Sequence, residues 1–204
     1  SSVEALEVND RLLDAMAHPA VCPHLHLPLQ SGDDSVLKAM GRRYTGSEFA
    51  TRVETARRHL DRPAITTDVM VGFPGEADRE FERTLSACRD LAFSRLHVFR
   101  YSPRQGTPAA TMPDRVHSRV AKDRSRRLRK LGQRMATKWA ESFVNRTVRV
   151  LAEREMVDGL LTGYTDRYVE TNFPGEPDWI GQLVEVRGEQ TEGTRLVAGD
   201  ASLL

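Results

Sequence analysis

The chain has 204 residues, of which 39% are hydrophobic and 29% charged, with 14 Gly and 10 Pro. This balance is typical of a folded globular protein and excludes a miniprotein, a fibrous chain and a disordered one. No apolar run approaches the roughly 18 residues of a membrane span. The first residues, SSVEALEVND, lack the basic start and apolar stretch of a secretory signal. We therefore expect a cytoplasmic protein with no membrane partner.

The net charge of +1 hides a strong asymmetry along the chain. Residues 115–138 hold ten Lys and Arg against one acid, Asp123, for a net charge of +9, whereas residues 139–204 carry a net charge of −6. Clustered cations indicate a polyanionic partner, because binding them releases counterions from a phosphate backbone. A solvated helix face is the alternative interpretation.

Apolar positions in residues 1–114 alternate between strand and helix periods in the order of βα units. Asp33 is a candidate helix cap, and Thr45 with Glu48 forms a capping-box pattern. The predicted helices cover residues 3–17, a short segment after Asp33, 45–60 and 78–91. The predicted strands cover residues 24–29, 64–71 and 95–99.

Strands separated by helices pair in parallel, and in such folds ligands gather at the carboxyl ends of the strands. The loops 30–32, 72–76 and 101–106 are therefore expected along one rim. Three strands are too few to close a barrel and leave an exposed sheet edge. The pattern is that of the back half of something larger, which would pair this edge with its missing half or with a second copy.

Residues 115–140 predict one long helix with a buried stripe formed by Leu128, Leu131, Met135 and Trp139. Residues 147–152, 159–164, 168–172, 180–187 and 194–198 predict five short antiparallel strands with glycine turns. Five such strands in about sixty residues are typical of a small barrel of the nucleic-acid-binding kind.

Three strings follow the strand ends in order: HLHLPLQSGDDSVLKAMGRRYT (24–45), AITTDVMVGFPGE (64–76) and RLHVFRYSPRQGTPAA (95–110). Together they resemble the radical S-adenosylmethionine methylthiotransferases, which add a methylthio group to an adenosine beside the tRNA anticodon or to a ribosomal protein. The tail segment LLTGYTDRYVETN resembles their TRAM domain. The sequence looks most like the threonylcarbamoyladenosine branch, with the isopentenyl-adenosine and ribosomal-protein branches as alternatives.

The resemblance implies an α/β fold: the C-terminal half of a partial (β/α) radical SAM barrel over residues 1–140, then a small all-β TRAM barrel over residues 141–204. It implies S-adenosylmethionine and two 4Fe–4S clusters in the full-length protein, one of them held by a CxxxCxxC motif. The chain has only Cys22 and Cys88, so it ligates neither cluster. We therefore expect a C-terminal fragment, from a longer protein or a shortened gene, that is inactive without its N-terminal half.

S-adenosylmethionine presents a ribose diol, an adenine, a carboxylate and an amine. Gln30 and Asp68 are expected to bind the ribose hydroxyls and Arg42 the carboxylate, an arrangement that resembles oxygen-independent coproporphyrinogen oxidases. The alternative is that Gln30 and Asp68 cap helices while Arg42 pairs with a surface acid. The remaining residues expected at the cofactor are Ser31, Gly72, Phe73, Pro74, Gly75 and Tyr101.

The residues expected to contact the tRNA anticodon stem-loop are the helix cations Arg119, Lys122, Arg126, Arg129, Lys130 and Arg134, and Tyr164, Arg167 and Tyr168 of the tail. Packing within the barrel is the alternative role of the two tyrosines. His24 and His26 share a strand face but lack a third metal ligand, so we expect no metal site in this chain and no catalytic residue. The rival function is a non-catalytic tRNA-binding remnant.

Overall fold

The computed structural model describes residues 2–156 and 159–204, and these divide into two compact units. The first comprises residues up to Val21 together with Leu25–Gly132, and the second comprises Cys22–His24 and Gln133–Leu204. Among the described residues, no helix combines the length and the apolar character that crossing a membrane requires. The expected α/β class with a small all-β barrel is confirmed.

The first unit contains a three-stranded sheet with the order β1-β2-β3. Its elements are α1 (Asp10–Met16), β1 (His24–His26, whose first residue is grouped with the second unit), α2 (Asp34–Ala39), α3 (Gly46–His59), β2 (Ala64–Val71), α4 (Asp78–Leu91) and β3 (Arg95–Arg100). β2 and β3 pair in parallel, and Gln30 adds a parallel bridge to Val69. The sheet does not close, as expected for three strands.

Two predicted elements are shorter in the structure. The helix expected over residues 3–17 is a single 3₁₀ turn at Ala5–Glu7 followed by α1, because the Asn9 side chain accepts a hydrogen bond from Leu12 N and caps a new helix. The strand expected over residues 24–29 ends at His26. Pro28 has no N–H to donate, and Leu29 N donates to Thr67 Oγ1 instead of to a backbone carbonyl.

The long helix α5 spans Ser118–Glu141, three residues later at its start than predicted. Asp114 has a positive φ of 55°, which interrupts helical geometry, and His117 Nδ1 accepts a hydrogen bond from Arg119 N at the first turn. The predicted apolar stripe is only partly buried: Leu128 is fully buried, whereas Leu131, Met135 and Trp139 are partly exposed.

The second unit is a closed barrel with the strand order β4-β5-β6-β8-β7. The strands are β4 (Thr147–Glu155), β5 (Leu161–Thr165), β6 (Glu170–Phe173), β7 (Leu183–Glu192) and β8 (Arg195–Leu203). The expectation of antiparallel pairing throughout is wrong at one seam, where β6 and β8 run parallel. A closed ring of five strands cannot alternate direction everywhere, because five is odd. Ala140 and Phe143 belong to the core of this unit.

Gly163 is required by the close approach of β4 and β5. A Cβ placed on it would lie 1.8 Å from Leu151 O, a backbone atom. We expect Gly163→Ala to lower the free energy of unfolding of the barrel by about 3 kcal/mol or more, because the strands must separate. Urea denaturation followed by tryptophan fluorescence measures it, since Trp139 and Trp179 both pack on this core. Gly46→Ala is the control, with no neighbour closer than 3.6 Å, and an equal loss there contradicts the interpretation.

Asp33 caps α2 and is only 1% exposed. Burial alone would raise the pKa of its carboxyl. Hydrogen bonds from Ser35, Arg83 and the backbone N–H groups of α2 together outweigh burial, so the pKa lies below its ordinary 3.8. The stability that Asp33 contributes is therefore present above about pH 3.8 and lost as the pH falls through the lowered value. We expect Arg83→Met to move this loss to higher pH and Asp33→Asn to remove it, as measured by urea denaturation between pH 2 and 6. If both variants lose stability over the same low-pH range as the wild-type chain, the assignment to Asp33 is wrong.

Candidate functional site

One face of the three-stranded sheet is open and polar. Side chains alternate along β2, so Ile65, Thr67, Val69 and Val71 are buried while Asp68 and Met70 remain partly exposed on the other side. Asp68 is in register with His97 on β3, and Met70 with Phe99, which is half exposed. We call this surface the open face, and define it by the side chains of His26, Thr66, Asp68, Met70, His97 and Phe99.

A histidine holds the central carboxylate of the open face. His26 Nε2 lies 3.3 Å from Asp68 Oδ2, and His26 Nδ1 lies 2.9 Å from Thr66 Oγ1. Both ring nitrogens therefore have partners on β2, which orients the ring and with it one oxygen of Asp68. The His97 ring meets the His26 ring edge-on, with centroids 5.7 Å apart. Burial and the nearby charge of Arg95 lower the pKa of His97, which keeps that ring neutral at pH 7.

The expected cofactor residues lie in different surroundings, and only some of them lie next to the open face. Gln30 N donates to Asp68 O at 2.8 Å, so these two residues are adjacent. Ser31 is fully buried, and its hydroxyl contacts Thr84 Oγ1 and accepts from Asp33 N. Arg42 Nη1 donates to Glu4 Oε1 at 2.8 Å, the surface pairing that the sequence left as its alternative.

The loop after β2 packs against β3 and α5. Phe73 is buried, and its ring lies 5.2 Å from that of Tyr101. Tyr101 Oη is buried and has no hydrogen-bond partner among the described residues, and buried hydroxyl groups in proteins are usually satisfied by protein or by ordered water. A Cβ on Gly72 would lie 2.7 Å from Ala121 Cβ, so α5 occupies that side of the glycine. The space beside Gly75, next to Pro74, is open.

A buried ion pair that the sequence did not reveal anchors α5 to this loop. Arg124 Nη1 lies 2.6 Å from Glu76 Oε1, and Arg124 Nη2 donates to Asp78 Oδ1 at 2.8 Å. Glu76 Oε1 also accepts from Gly72 N. Burial raises the pKa of Glu76 despite these donors. The two residues are 48 positions apart in the chain. Because Arg124 stands in a run of basic residues, nothing in the sequence around it marks it as the buried one.

The cations of α5 do not all lie in one place. Arg119, Lys122, Arg126 and Arg129 line a cavity of about 670 Å³ together with Arg100 from the end of β3, which sequence reasoning missed. Lys130 and Arg134 are exposed and do not line it. In the second unit, Tyr168 is half exposed with its ring 4.2 Å from that of His24 and 6.3 Å from that of Tyr164. The Arg167 side chain is mostly buried and pairs with Asp166 at 2.8 Å.

The residues present fit S-adenosylmethionine but not an iron–sulfur cluster. The open face offers a carboxylate fixed by a histidine, and its rim offers the unpartnered hydroxyl of Tyr101. Cys22 is exposed, whereas Cys88 is buried and burial raises the pKa of its thiol to about 12. Within the described ranges, no three His, Cys, Asp or Glu side chains are grouped so that they could hold a metal ion.

We expect Arg124→Met to lower the free energy of unfolding by about 3 kcal/mol at pH 7, because it leaves the Glu76 carboxylate buried without its cation. This loss of stability becomes smaller as the pH is lowered towards 5. The raised pKa of Glu76 means that its carboxyl takes up a proton in the folded chain at a higher pH than in the unfolded chain, and the buried charge is then removed. Urea denaturation followed by circular dichroism measures both effects. Arg127→Met is the matched control: Arg127 pairs with Glu82 at the surface, and its loss costs less than about 1 kcal/mol. Equal losses in the two variants contradict the assignment.

Two family models match the chain: the radical SAM superfamily over residues 2–88 and the TRAM domain over residues 141–195. A solved structure of coproporphyrinogen III oxidase (HemN) from Escherichia coli, described as a radical SAM enzyme, is 14% identical with a TM-score of 0.56. The match covers 100% of this chain and 50% of that one, and at this identity it shows the fold alone.

Curated relatives share more sequence. The threonylcarbamoyladenosine tRNA methylthiotransferases MtaB of Bacillus subtilis and Thermotoga maritima are 38% and 40% identical over 92% of this chain. The tRNA-2-methylthio-N(6)-dimethylallyladenosine synthase of Geobacillus kaustophilus is 41% identical over 91% of it. The chain spans 43%, 43% and 36% of the lengths of these relatives. The chain therefore has a radical SAM region followed by a TRAM domain, and over most of its length it is similar to these tRNA methylthiotransferases.

Proposed function

We propose that this chain is the cofactor- and tRNA-binding part of a tRNA methylthiotransferase that modifies threonylcarbamoyladenosine next to the anticodon. The observation that carries the proposal is the open face, where His26, itself in contact with Thr66, holds the carboxylate of Asp68 beside Gln30. A tRNA substrate makes a cytoplasmic location part of the same proposal. The division into a radical SAM region over residues 1–140 and a TRAM domain over residues 141–204 also remains a prediction.

In this proposal Asp68 accepts hydrogen bonds from the ribose hydroxyls of S-adenosylmethionine, with Gln30 beside it. Tyr101 supplies a hydroxyl at the rim, and Gly75 leaves room for the backbone to approach the adenine. Arg42 would exchange Glu4 for the carboxylate of the cofactor, at little cost because exposed ion pairs are weak. When bound, S-adenosylmethionine supplies the methyl group and the radical chemistry of the reaction. No step is assigned to an iron–sulfur cluster on this chain, and we expect no turnover by the chain alone.

The proposed cofactor site predicts a specific loss of affinity. We expect Asp68→Asn to weaken S-adenosylmethionine binding by about tenfold or more, because a hydrogen bond to a charged group contributes about 1.5–3 kcal/mol. Equilibrium dialysis with labelled S-adenosylmethionine measures it on the chain itself. Asp90→Asn, on α4, is the control and leaves the affinity unchanged. Binding that is equally strong in the Asp68 variant overturns this part of the proposal.

The choice of modified adenosine needs a separate experiment, because relatives that act on either nucleoside are about equally similar. Deleting the gene that encodes this chain and digesting total tRNA to nucleosides reveals the substrate by mass spectrometry. We expect 2-methylthio-threonylcarbamoyladenosine to disappear. Loss of the methylthio group from the isopentenyl-type adenosine instead assigns the alternative branch, and loss of neither points to the ribosomal-protein branch or to a non-catalytic protein.

The cysteine content favours one other candidate, a non-catalytic tRNA-binding protein. Neither of the two cysteines belongs to a group of possible metal ligands in the described part of the chain. In that case tRNA binding depends on salt and survives Gln30→Ala and Asp68→Ala, and the chain has no affinity for S-adenosylmethionine.

A further inference from the structure

The cavity between α5 and the end of β3 is strongly cationic. Five of its lining residues are cations, namely Arg100, Arg119, Lys122, Arg126 and Arg129. The one lining acid, Asp123, already pairs with Arg126. The volume of about 670 Å³ lies in the range of pockets that hold a ligand the size of a nucleotide.

The elements that carry these cations, β3 and α5, pack directly against each other. Leu96, Val98 and Arg100 share the side of β3 that faces α5, because side chains alternate along a strand. Gly132 approaches Leu96 so closely that an added Cβ would lie 3.1 Å from Leu96 Cβ. Arg129 Nη2 lies 3.3 Å from Val98 O. The cavity is therefore part of the packed first unit and not a feature of a loose basic tail.

So many like charges around one concavity repel one another, and a multiply charged anion removes that repulsion. Four of the five are arginines, whose planar guanidinium groups donate paired hydrogen bonds to phosphate oxygens. A single phosphate would engage only part of this lining. Consecutive phosphodiesters of a nucleic acid strand supply several negative charges to match its five cations.

We propose that this cavity, which we call the phosphate cavity, binds consecutive phosphates of the RNA strand that carries the target nucleotide. The proposal rests on the proposed tRNA substrate and adds to it a defined subsite with Arg100 as a member. Arg100 directly precedes Tyr101, whose N–H donates to Val71 O at the carboxyl end of β2. A strand whose phosphates occupy the cavity would therefore pass its neighbouring nucleotide towards the carboxyl end of β3 and the open face.

The test measures binding of an anticodon stem-loop RNA by the full chain over a series of KCl concentrations. We expect Arg100→Gln and Arg126→Gln each to weaken binding by about three- to tenfold at 150 mM salt and to reduce the slope of log K against log salt by about one. Arg127→Gln is the matched control: it removes the same charge from α5, but Arg127 lies over the Phe81 ring and pairs with Glu82. We expect it to change binding by less than about twofold.

The outcomes separate this proposal from the proposed function. If the chain binds the RNA and the Arg100 and Arg126 variants behave like the Arg127 variant, the phosphate cavity is wrong while tRNA binding stands. If the wild-type chain does not bind the RNA at all, the tRNA proposal itself fails and the cavity proposal fails with it. Circular dichroism of each variant confirms that a loss of binding is not a loss of folding.

Discussion

The buried ion pair between Arg124 and Glu76 fixes α5 against the loop that follows β2, and both proposed sites depend on that contact. Glu76 also accepts from Gly72 N, so the same carboxylate shapes the turn that leads away from β2. Because Gly72 has no side chain, Ala121 comes close to the strand end and the helix lies beside β3. Without this docking, the cations of α5 would not face Arg100, and Tyr101 would lose the packing of Phe73 that stabilises the rim.

β3 separates the two kinds of chemistry that we propose. His97 and Phe99 lie on the open face, together with the carboxylate of Asp68 that we propose binds the cofactor. Arg100, one residue further on, points to the opposite side and to the phosphate cavity. The two-residue repeat of a strand thus places a neutral histidine and a cationic arginine on opposite faces within about 10 Å of chain. A polyanion and a cofactor can approach the same strand end without competing for the same side chains.

Local signals predicted most of the fold. The caps at Asp33 and Thr45 and the period of β2 depend on residues a few positions apart, and the structure contains them where the sequence indicated. Two predicted elements were too long because one residue interrupted the pattern of apolar positions. Asn9 caps a new helix within the predicted helix 3–17, and Pro28 ends the predicted strand 24–29 early. The parallel seam between β6 and β8 follows from closing an odd number of strands, a constraint that no individual strand reveals.

The sequence by itself determined the two domain types, the order of the elements and the residue types available for binding, because motifs and periodicities are properties of neighbouring positions. Tertiary structure decided which of those residues meet. It paired His26 with Asp68, placed Glu4 on Arg42 and buried Arg124 among its basic neighbours. It also selected Arg119, Lys122, Arg126 and Arg129 for one cavity, together with an arginine from another element. Such contacts join positions tens of residues apart, and their partners are chosen by packing and desolvation that only the folded chain provides.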